Sequence, residues 1–427
     1  MVYSEIVGIL VLIGCVICFV SRCIPEAVAG VIGCVLMVLF KACSFDDVFG
    51  QFSNSIVILM VSSMIVGIAM FKTGAARILG QTAIRASKGN EKTFLIVTFL
   101  LSAVLAMFLA NTAILAALIP IVESVSRASD RMHRKNLLLP LGCAVMYGGA
   151  CTLIGCTPQL TANGLMVNMH GEQMTMWTLT APGLCITALF AIYLFVWGYR
   201  DGIRIWGDRP EEEMDVAQKK LDAVMNDQVD KKKLITISII AGLMMFFYVT
   251  NILSTTMTAL CAAIACVLTG CCSMKDVTRE VSWSSVIFLG ACLGLGNALT
   301  VSGTGEFIAD MVTSLLGTSR DPYLIFVVLV TLTMILSQVI TNSTAIIIVL
   351  PIALSMCHAY GFDAMGFCVG ITFAASFAFC TPLAAAQITM TQVAGYDFMD
   401  YVRFGWKPSL ITLAAIIALV PLFYPLV

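Results

Sequence analysis

The sequence predicts an all-α polytopic membrane protein built from two inverted repeats. Three observations predict this fold: an apolar composition, a one-sided distribution of basic residues, and a pattern of polar tips and broken helices that occurs twice. Of the 427 residues, 59 % are hydrophobic and 11 % are charged, and the mean hydropathy is +0.97. Such a chain has too little polar surface for a soluble protein, so its apolar runs are expected to lie in lipid.

About ten apolar runs separated by charged breaks are predicted to cross the membrane. They cover residues 5–20, 24–42, 55–71, 138–168, 178–199, 234–252, 256–270, 283–301, 365–395 and 408–425. No basic segment precedes the first run, so we expect a retained helix there rather than a cleaved signal. Almost all of the 17 cysteines lie within apolar runs, where they are expected to be structural thiols rather than metal ligands.

Two further apolar runs, 93–122 and 322–357, are predicted to be re-entrant hairpins. A straight helix of 30 residues would be about 45 Å long, which is too long for one crossing and short for two. Basic residues flank the first run on both sides, as is typical of cytoplasmic loops. If both runs are hairpins, all of the 24 Lys and Arg residues except Lys41 and Arg320 lie in the cytoplasm. This topology places both termini outside.

The two hairpins have matching polar tips. Asn111 stands nine residues before Pro120 and is followed by Thr, while Asn342 stands nine residues before Pro351 and is followed by Ser. Asn is both a common turn residue and a good helix starter. Irregular backbone inside a bilayer is tolerated only where it is buried in protein or lines a wet cavity, so the tips indicate a site.

The sequence around the tips is duplicated. The stretch "SNSIVILMVSSMIVGIAMFKTG" before the first hairpin corresponds to "SWSSVIFLGACLGLGNALTVSG" before the second, and the breaks "GGACTLIGCTPQL" and "FCTPLAAAQITM" follow them. The charge distribution makes the first hairpin enter from the cytoplasm and the second from outside. Inverted repeats with broken helices are typical of secondary transporters, in which the substrate binds at the repeat interface.

This duplication predicts five regions. They are scaffold helices in 1–52, a first repeat in 53–200 with its hairpin at 93–122, a cytoplasmic linker in 201–233, further scaffold helices in 234–282, and a second repeat in 283–427 with its hairpin at 322–357.

The predicted site region carries almost no fixed charge. Residues 93–122 and 137–171 contain no Asp, Glu, Lys or Arg, and 322–395 contain only Asp363. The charge of a bound anion would therefore be balanced by helix N-termini and by mobile cations held on oxygen atoms. Carbonyl-rich turns suit Na⁺, whereas proton coupling usually needs an intramembrane Asp, Glu or His. Na⁺ is thus the expected coupling ion, and no other cofactor is expected.

These motifs resemble the divalent anion/sodium symporter (DASS) family of the ion transporter superfamily over residues 24–425. The resemblance depends on the paired tips, the "TLIGCTPQ" break and the final "GYDFMDYVRFGW". It implies sodium-coupled symport of a divalent or multivalent anion, a C4 dicarboxylate above all. It further implies a homodimer that works by an elevator motion against a scaffold, surrounded by lipid in a cell membrane, and we expect the plasma membrane of a prokaryote.

By this resemblance the substrate is bound at the two tips and the two breaks. The expected substrate-binding residues are Asn111, Thr112, Cys156, Thr157, Asn342, Ser343, Ala385 and Ala386. One Na⁺ is expected at Ala110, Asn111 and Gly155, and a second at Thr341, Asn342 and Ala384.

Several alternatives remain open from the sequence. Ala110 replaces the first motif Ser of the family, and the second break lacks a proline pair, so sulfate, citrate or another oxyanion remains possible, as does sodium-independent exchange. Isolated Asn and Thr residues also serve as interhelical hydrogen-bond partners. An enzyme is not expected, because the spans contain no Ser/Lys, Asp/Asp or HExxH arrangement. A nucleic-acid partner is not expected either.

Overall fold

The computed structural model describes residues 3–21, 23–74, 90–128, 133–206, 231–250, 252–304, 307, 321–382 and 385–427. These residues form helices joined by turns, and no β-strand occurs among them. Most of the predicted linker lies outside the described residues, as do residues 75–89 and most of 305–320.

The first half of the chain contains ten described α-helices. They are α1 Tyr3–Ser21, α2 Glu26–Leu39, α3 Phe45–Phe49, α4 Ser55–Lys72, α5 Glu91–Ala106, α6 Asn111–Ala128, α7 Arg134–Ala150, α8 Thr157–His170, α9 Thr180–Tyr193 and α10 Tyr199–Trp206. A π-helical turn, Leu194–Gly198, joins α9 to α10 without a break in the helix.

The second half contains nine described α-helices. They are α11 Lys231–Thr250, α12 Thr255–Leu268, α13 Met274–Glu280, α14 Trp283–Val301, α15 Pro322–Ser337, α16 Asn342–Tyr360, α17 Ala364–Ser376, α18 Ala386–Met390 and α19 Phe398–Phe423.

The predicted all-helical, multi-pass membrane fold is confirmed. Within the described residues, six helical segments are long and apolar enough to cross a membrane, and six shorter apolar helices accompany them. The six long segments are Phe45–Lys72, Thr180–Trp206, Lys232–Thr250, Trp283–Val301, Asn342–Tyr360 and Phe398–Phe423. Some predicted spans are shorter than expected: α2 has 14 residues, and the runs 138–168 and 365–395 are each divided into two helices.

Both predicted hairpin runs are broken at their polar tips. In the first run, α5 ends at Ala106 and α6 begins at Asn111. In the second run, α15 ends at Ser337 and α16 begins at Asn342. Each Asn is therefore the first residue of a helix, which agrees with the expectation that the chain turns just before it.

The two halves of the chain pack against each other reciprocally. In the first half α2, α3 and α4 precede the hairpin, and in the second half α12, α13 and α14 do so. Ser44 and Asp47 form a capping box at α3, and Ser273 and Asp276 form the same box at α13. Helix α2 packs on α14 while α4 packs on α12, so the first and third helices of each set exchange partners.

An aromatic stack holds the second break against the first repeat. The ring of Tyr147 on α7 stacks on Phe190 at 4.1 Å and on Phe377 at 4.5 Å between centroids. Phe379 stacks on Tyr147 at 5.2 Å, and all four rings are buried. Each aromatic pair contributes about 0.5–1.5 kcal/mol beyond its buried area, so the irregular backbone after α17 is fixed by packing.

Candidate functional site

The two hairpin tips and the two helix breaks meet at one cavity of about 420 Å³. The tips are the turns between α5 and α6 and between α15 and α16. The breaks lie between α7 and α8 and between α17 and α18. Residues separated by more than 200 positions in the chain are thus brought to one place.

The structure brings together every described residue that the sequence assigned to the site. The cavity is lined by Ala110, Asn111, Thr112, Gly155, Cys156, Thr157, Thr341, Asn342, Ser343, Ala385 and Ala386. Ala384, predicted as a sodium ligand, lies outside the described residues.

Three long helices begin at this cavity without a side-chain cap. Cys156 precedes α8 and Thr341 precedes α16, and neither side chain accepts a hydrogen bond from its helix. Ala110, which precedes α6, has no side-chain acceptor at all. The first N–H groups of a helix lack intrahelical partners and give its N-terminus a partial positive charge. No Lys or Arg occurs among the described residues that line the cavity, so these N-termini supply its donors for an anion.

The first tip is held by Asn111, which is only 3 % exposed. Its amide Nδ2 donates to the Cys156 sulfur at 2.6 Å, so the tip and the first break are in direct contact. The opposite amide atom, Oδ1, has no hydrogen-bond partner within the described part of the chain. A buried amide oxygen without a partner is costly, because it has lost its contact with water.

Gly149 on α7 makes room for the Asn111 amide. A Cβ atom at Gly149 would lie 2.4 Å from Asn111 Nδ2 and 2.7 Å from the Cys156 sulfur. Both distances are shorter than van der Waals contact, so a side chain at this position would displace the Asn111 amide.

The second tip makes a different polar contact. The Thr341 hydroxyl donates to Oε2 of Glu26 at 3.1 Å, and it also pairs with the Thr344 hydroxyl at 2.8 Å. As in the first tip, Oδ1 of Asn342 is buried and has no hydrogen-bond partner in the described ranges. The two tips thus present matching amide oxygens.

Both tips are held by the same kind of hydrogen bond, which a threonine of a helix break donates. The Thr152 hydroxyl of the first break donates to the Met107 carbonyl oxygen, and the Thr381 hydroxyl of the second break donates to the Gln338 carbonyl oxygen. Met107 and Gln338 are the C-terminal caps of α5 and α15. These hydroxyls satisfy carbonyl groups that a helix end leaves unpaired.

A further part of the cavity wall comes from α4 and from the region of α14, and it combines hydroxyl groups with large apolar side chains. It contains Met60, Ser63 and Met64 from α4 and Ser282, Ser285 and Phe288 from the region of α14. The sequence reasoning did not assign these residues to the site, nor Ser376 and Gln387, which also line it.

Glu26 is the one charged residue that lines the cavity among the residues the structure describes. It is the first residue of α2, and the predicted site did not include it because it lies outside the hairpins and the breaks. An acidic residue at the start of an apolar helix is ordinarily explained by the helix dipole. Its position inside the run 24–42, directly after Pro25, marks it as a charged residue in an apolar run, but only the packing of the helices places it at the cavity.

Known proteins similar to this chain are membrane transporters. The family model CitMHS, described as citrate transporter, matches residues 16–319. The sodium-dependent dicarboxylate transporter SdcS of Staphylococcus aureus is 22 % identical over 421 residues, which covers 89 % of this chain and 80 % of that protein. An uncharacterised transporter of Synechocystis is 28 % identical over 208 residues, which covers 48 % of this chain and only 33 % of that relative.

Two solved structures share the fold. MtrF of Neisseria gonorrhoeae, which represents a class of antimetabolite efflux pumps, has a TM-score of 0.62 and 13 % identity, and the match covers 99 % of this chain and 95 % of MtrF. The YdaH transporter of Alcanivorax borkumensis, whose topology is unusual, also has a TM-score of 0.62 and 13 % identity, over 87 % of this chain and 86 % of YdaH.

Proposed function

The chain belongs to the citrate transporter family CitMHS and is a multi-pass membrane transporter rather than an enzyme, and from this premise we propose that it couples uptake of a multivalent carboxylate to Na⁺. The expected substrate is a C4 dicarboxylate, as the sodium-dependent dicarboxylate relative suggests. Citrate, which the family description names, is the second substrate to test. The observation that carries the proposal is the meeting of both polar tips at one cavity.

In this proposal the anion binds between the tips without a fixed cation. The uncapped N-termini of α6, α8 and α16 supply backbone N–H donors and partial positive charge. The side chains of Asn111, Thr112, Asn342 and Ser343 add neutral polar groups to the cavity lining. Two carboxylates of one substrate can then be held by two tips that present similar groups.

The donor set at the tips fits Na⁺ as a co-transported ion. Oδ1 of Asn111 and Oδ1 of Asn342 are buried without hydrogen-bond partners among the described residues. Neutral carbonyl oxygens at unwound helix ends are the ligands that transporters use for Na⁺. We propose one Na⁺ near Ala110, Asn111 and Gly155 and a second near Thr341 and Asn342.

We further propose that the protein is a homodimer and that the tips move as a unit against a scaffold that includes α2. The proposed motion is supported by the position of the cavity, because both tips line it together with Glu26 of α2.

Transport by the purified protein in liposomes tests the proposal. Uptake of labelled succinate is expected with an inward Na⁺ gradient and is expected to fall to background when choline replaces Na⁺. Uptake that ignores Na⁺ would point to sodium-independent exchange. Citrate, sulfate and phosphate as unlabelled competitors identify the preferred anion.

Single substitutions test the site itself. Asn111→Ala and Asn342→Ala are each expected to abolish Na⁺-driven uptake while leaving the folded protein. Asn297→Ala is a matched control, because Asn297 is also partly buried and donates to the Asp47 carbonyl oxygen at 2.8 Å, outside the cavity. Full activity of both tip variants would contradict the assignment.

A further inference from the structure

Two of the chain's three histidines meet at the far ends of two helices that begin at the cavity. His170 is the last residue of α8, and His358 lies in the last turn of α16. The centroids of their rings are 6.4 Å apart, and the ring planes are nearly perpendicular, at 84°. The two residues belong to different halves of the chain, so this histidine pair depends on the packing of α8 along α16.

A glycine cap fixes the backbone on each side of the histidine pair. Gly171 directly follows His170 and has a φ of 76°. Gly361 follows His358 by three residues and has a φ of 72°. The N–H of each glycine donates to a carbonyl oxygen in the last turn of its own helix, which is how a left-handed cap ends a helix. The two rings therefore start from well-defined helix ends.

The environment of the histidine pair favours a cation. The C-terminal ends of α8 and α16 carry partial negative charge, because their last carbonyl groups lack intrahelical partners. The Nε2 atom of His170 is buried and has no hydrogen-bond partner among the described residues. A buried polar atom without a partner calls for an explanation, and a metal ion would supply one. His358 is exposed, so the pair is open to solvent.

The spacing of the rings fits a shared metal ion. With Zn–N bonds of about 2.1 Å, two imidazoles on one Zn²⁺ have ring centroids about 5–6.5 Å apart, depending on the angle at the metal. The observed 6.4 Å lies at the upper end of this range. A tetrahedral angle would require the rings to approach by about 1 Å, and the exposed side chain of His358 has room to move.

We propose that the histidine pair binds one transition-metal dication, Zn²⁺ above all, which links α8 to α16. Neutral imidazole is a ligand that suits Zn²⁺, Cu²⁺ and Ni²⁺. No group of three His, Cys, Asp or Glu side chains suited to a metal occurs in the part of the chain that the structure describes, so water completes the coordination.

This metal site is separate from the proposed anion site. At 1.5 Å per residue, His170 lies about 20 Å along α8 from the cavity. The topology predicted from the basic residues places this end of both helices outside, where a metal ion reaches the pair without crossing the membrane. The inference therefore goes beyond the proposed function and does not depend on it.

Metal binding to the purified full-length protein tests the proposal. The protein carries no polyhistidine tag, and the exposed Cys23, Cys185 and Cys261 are replaced by serine so that surface thiols do not compete for metal. Calorimetric titration is expected to show one Zn²⁺ per chain. The melting temperature is expected to rise once the Zn²⁺ concentration exceeds Kd. Mg²⁺, which prefers oxygen ligands, is expected to have neither effect.

Substitution of each histidine in this background identifies the ligands. His170→Gln and His358→Gln are each expected to weaken Zn²⁺ binding at least tenfold, because each removes one of two protein ligands. His133→Gln is the matched control, since His133 is the remaining histidine and is exposed, and it is expected to leave the Kd for Zn²⁺ unchanged. Melting in the absence of metal shows whether each variant is folded.

A spectroscopic measurement tests the same site without a histidine variant. Cu²⁺ added to the protein with its histidine pair intact is expected to show EPR couplings to the nitrogens of two imidazoles. Couplings to fewer than two imidazoles would overturn the proposal. It is also overturned if the protein binds no Zn²⁺, or if both glutamine variants bind Zn²⁺ as tightly as the intact pair. Neither result affects the uptake experiments that test the proposed transport function.

Discussion

At the scale of single residues, two adjacent glycines on α7 have different roles. A Cβ at Gly148 would lie 2.1 Å from the Ala103 carbonyl oxygen, which is backbone, whereas a Cβ at Gly149 would meet the side chains of Asn111 and Cys156. A side-chain amide can move aside, but helix backbone cannot do so without disturbing the packing. Gly148 thus permits close packing of α5 on α7, and Gly149 permits the position of the Asn111 amide.

This difference gives a prediction for Gly149→Ala. The added methyl group is expected to displace the Asn111 amide and to weaken substrate binding at least tenfold, while thermal stability changes little. Gly148→Ala is expected to destabilise the fold instead, since overpacking typically costs about 1–3 kcal/mol. Ligand titration and thermal melting of the detergent-solubilised variants separate the two effects. Gly242→Ala is the control, because no atom lies within 4 Å of a Cβ there.

The environment of Glu91 leads to a prediction about the pH dependence of stability. It is the first residue of α5 and is 8 % exposed. Its Oε2 accepts a hydrogen bond from the His133 backbone N–H at 3.4 Å. Burial raises the pKa of the carboxyl group, and hydrogen bonds from Asn136, His133 and Tyr199 offset this only in part. The folded protein therefore holds the Glu91 proton more tightly than the unfolded chain does.

The sign of the pH dependence follows from this raised pKa. Below the unfolded pKa both states are protonated, so the contribution of Glu91 to stability is fully present. As the pH rises through the folded pKa, the unfolded chain has released its proton more readily and the contribution is lost. Glu91→Gln is expected to melt at a higher temperature than the wild type at neutral pH, with the difference disappearing in acid. A difference that is constant with pH would mean that the ionisation of Glu91 is not its cause.

At the scale of elements, the sequence predicted the breaks better than the helix lengths. The tips were predicted because Asn111 and Asn342 are helix starters inside runs too long for one crossing, and α6 and α16 do begin at these residues. The short helices α3 and α13 were not predicted, because five and seven residues are too few for a periodic apolar pattern. Their capping boxes are visible in the sequence as Ser44 with Asp47 and Ser273 with Asp276.

The site was predicted only where its residues follow from the duplicated pattern. Asn111 and Asn342 belong to that pattern and line the cavity. Glu26 and Ser282 reach the cavity through the packing of α2 on α14, and a sequence pattern along one helix carries no information about such contacts. The walls contributed by other helices therefore could not be predicted from the chain alone.

The matched threonines of the two breaks make a prediction at this scale. Thr152→Val and Thr381→Val each remove the hydroxyl that donates to a helix-end carbonyl, while keeping the shape of the side chain. Each loss is expected to cost about 0.5–1.5 kcal/mol, since a partly buried hydrogen bond is removed. Thermal melting of each variant should show a lowered midpoint. Thr236→Val is the control and should keep the wild-type midpoint, because the Thr236 hydroxyl bonds within an exposed part of α11. If both break variants also keep the wild-type midpoint, these threonines do not support the tips.

At the scale of the whole molecule, the reciprocal packing supports the two-fold relation between the repeats that the sequence predicts. Helix α2 packs on α14 and α4 packs on α12, which is the exchange that a two-fold axis between the halves would produce. An axis in the membrane plane would also reverse the second half with respect to the first. The distribution of Lys and Arg independently favours that reversal, because only Lys41 and Arg320 then lie outside.

This orientation can be measured with two exposed lysines from opposite ends of the scaffold. Lys41 follows α2 and Lys275 lies in α13, and both side chains are exposed. In a background where the three exposed cysteines, Cys23, Cys185 and Cys261, are replaced by serine, we expect Lys41→Cys to react with a membrane-impermeant maleimide added to intact cells. Lys275→Cys should react only after the membrane is opened.

The same experiment decides which side of the membrane the cavity faces. Glu26 and Ser282 line the cavity and begin α2 or immediately precede α14, so in the proposed orientation they lie toward the cytoplasm. If Lys275→Cys is labelled from outside and Lys41→Cys is protected, the protein has the opposite orientation and the cavity faces the outside. Labelling of both positions from outside would contradict the reversal of the second repeat, because the charge distribution places these two residues on opposite sides of the membrane.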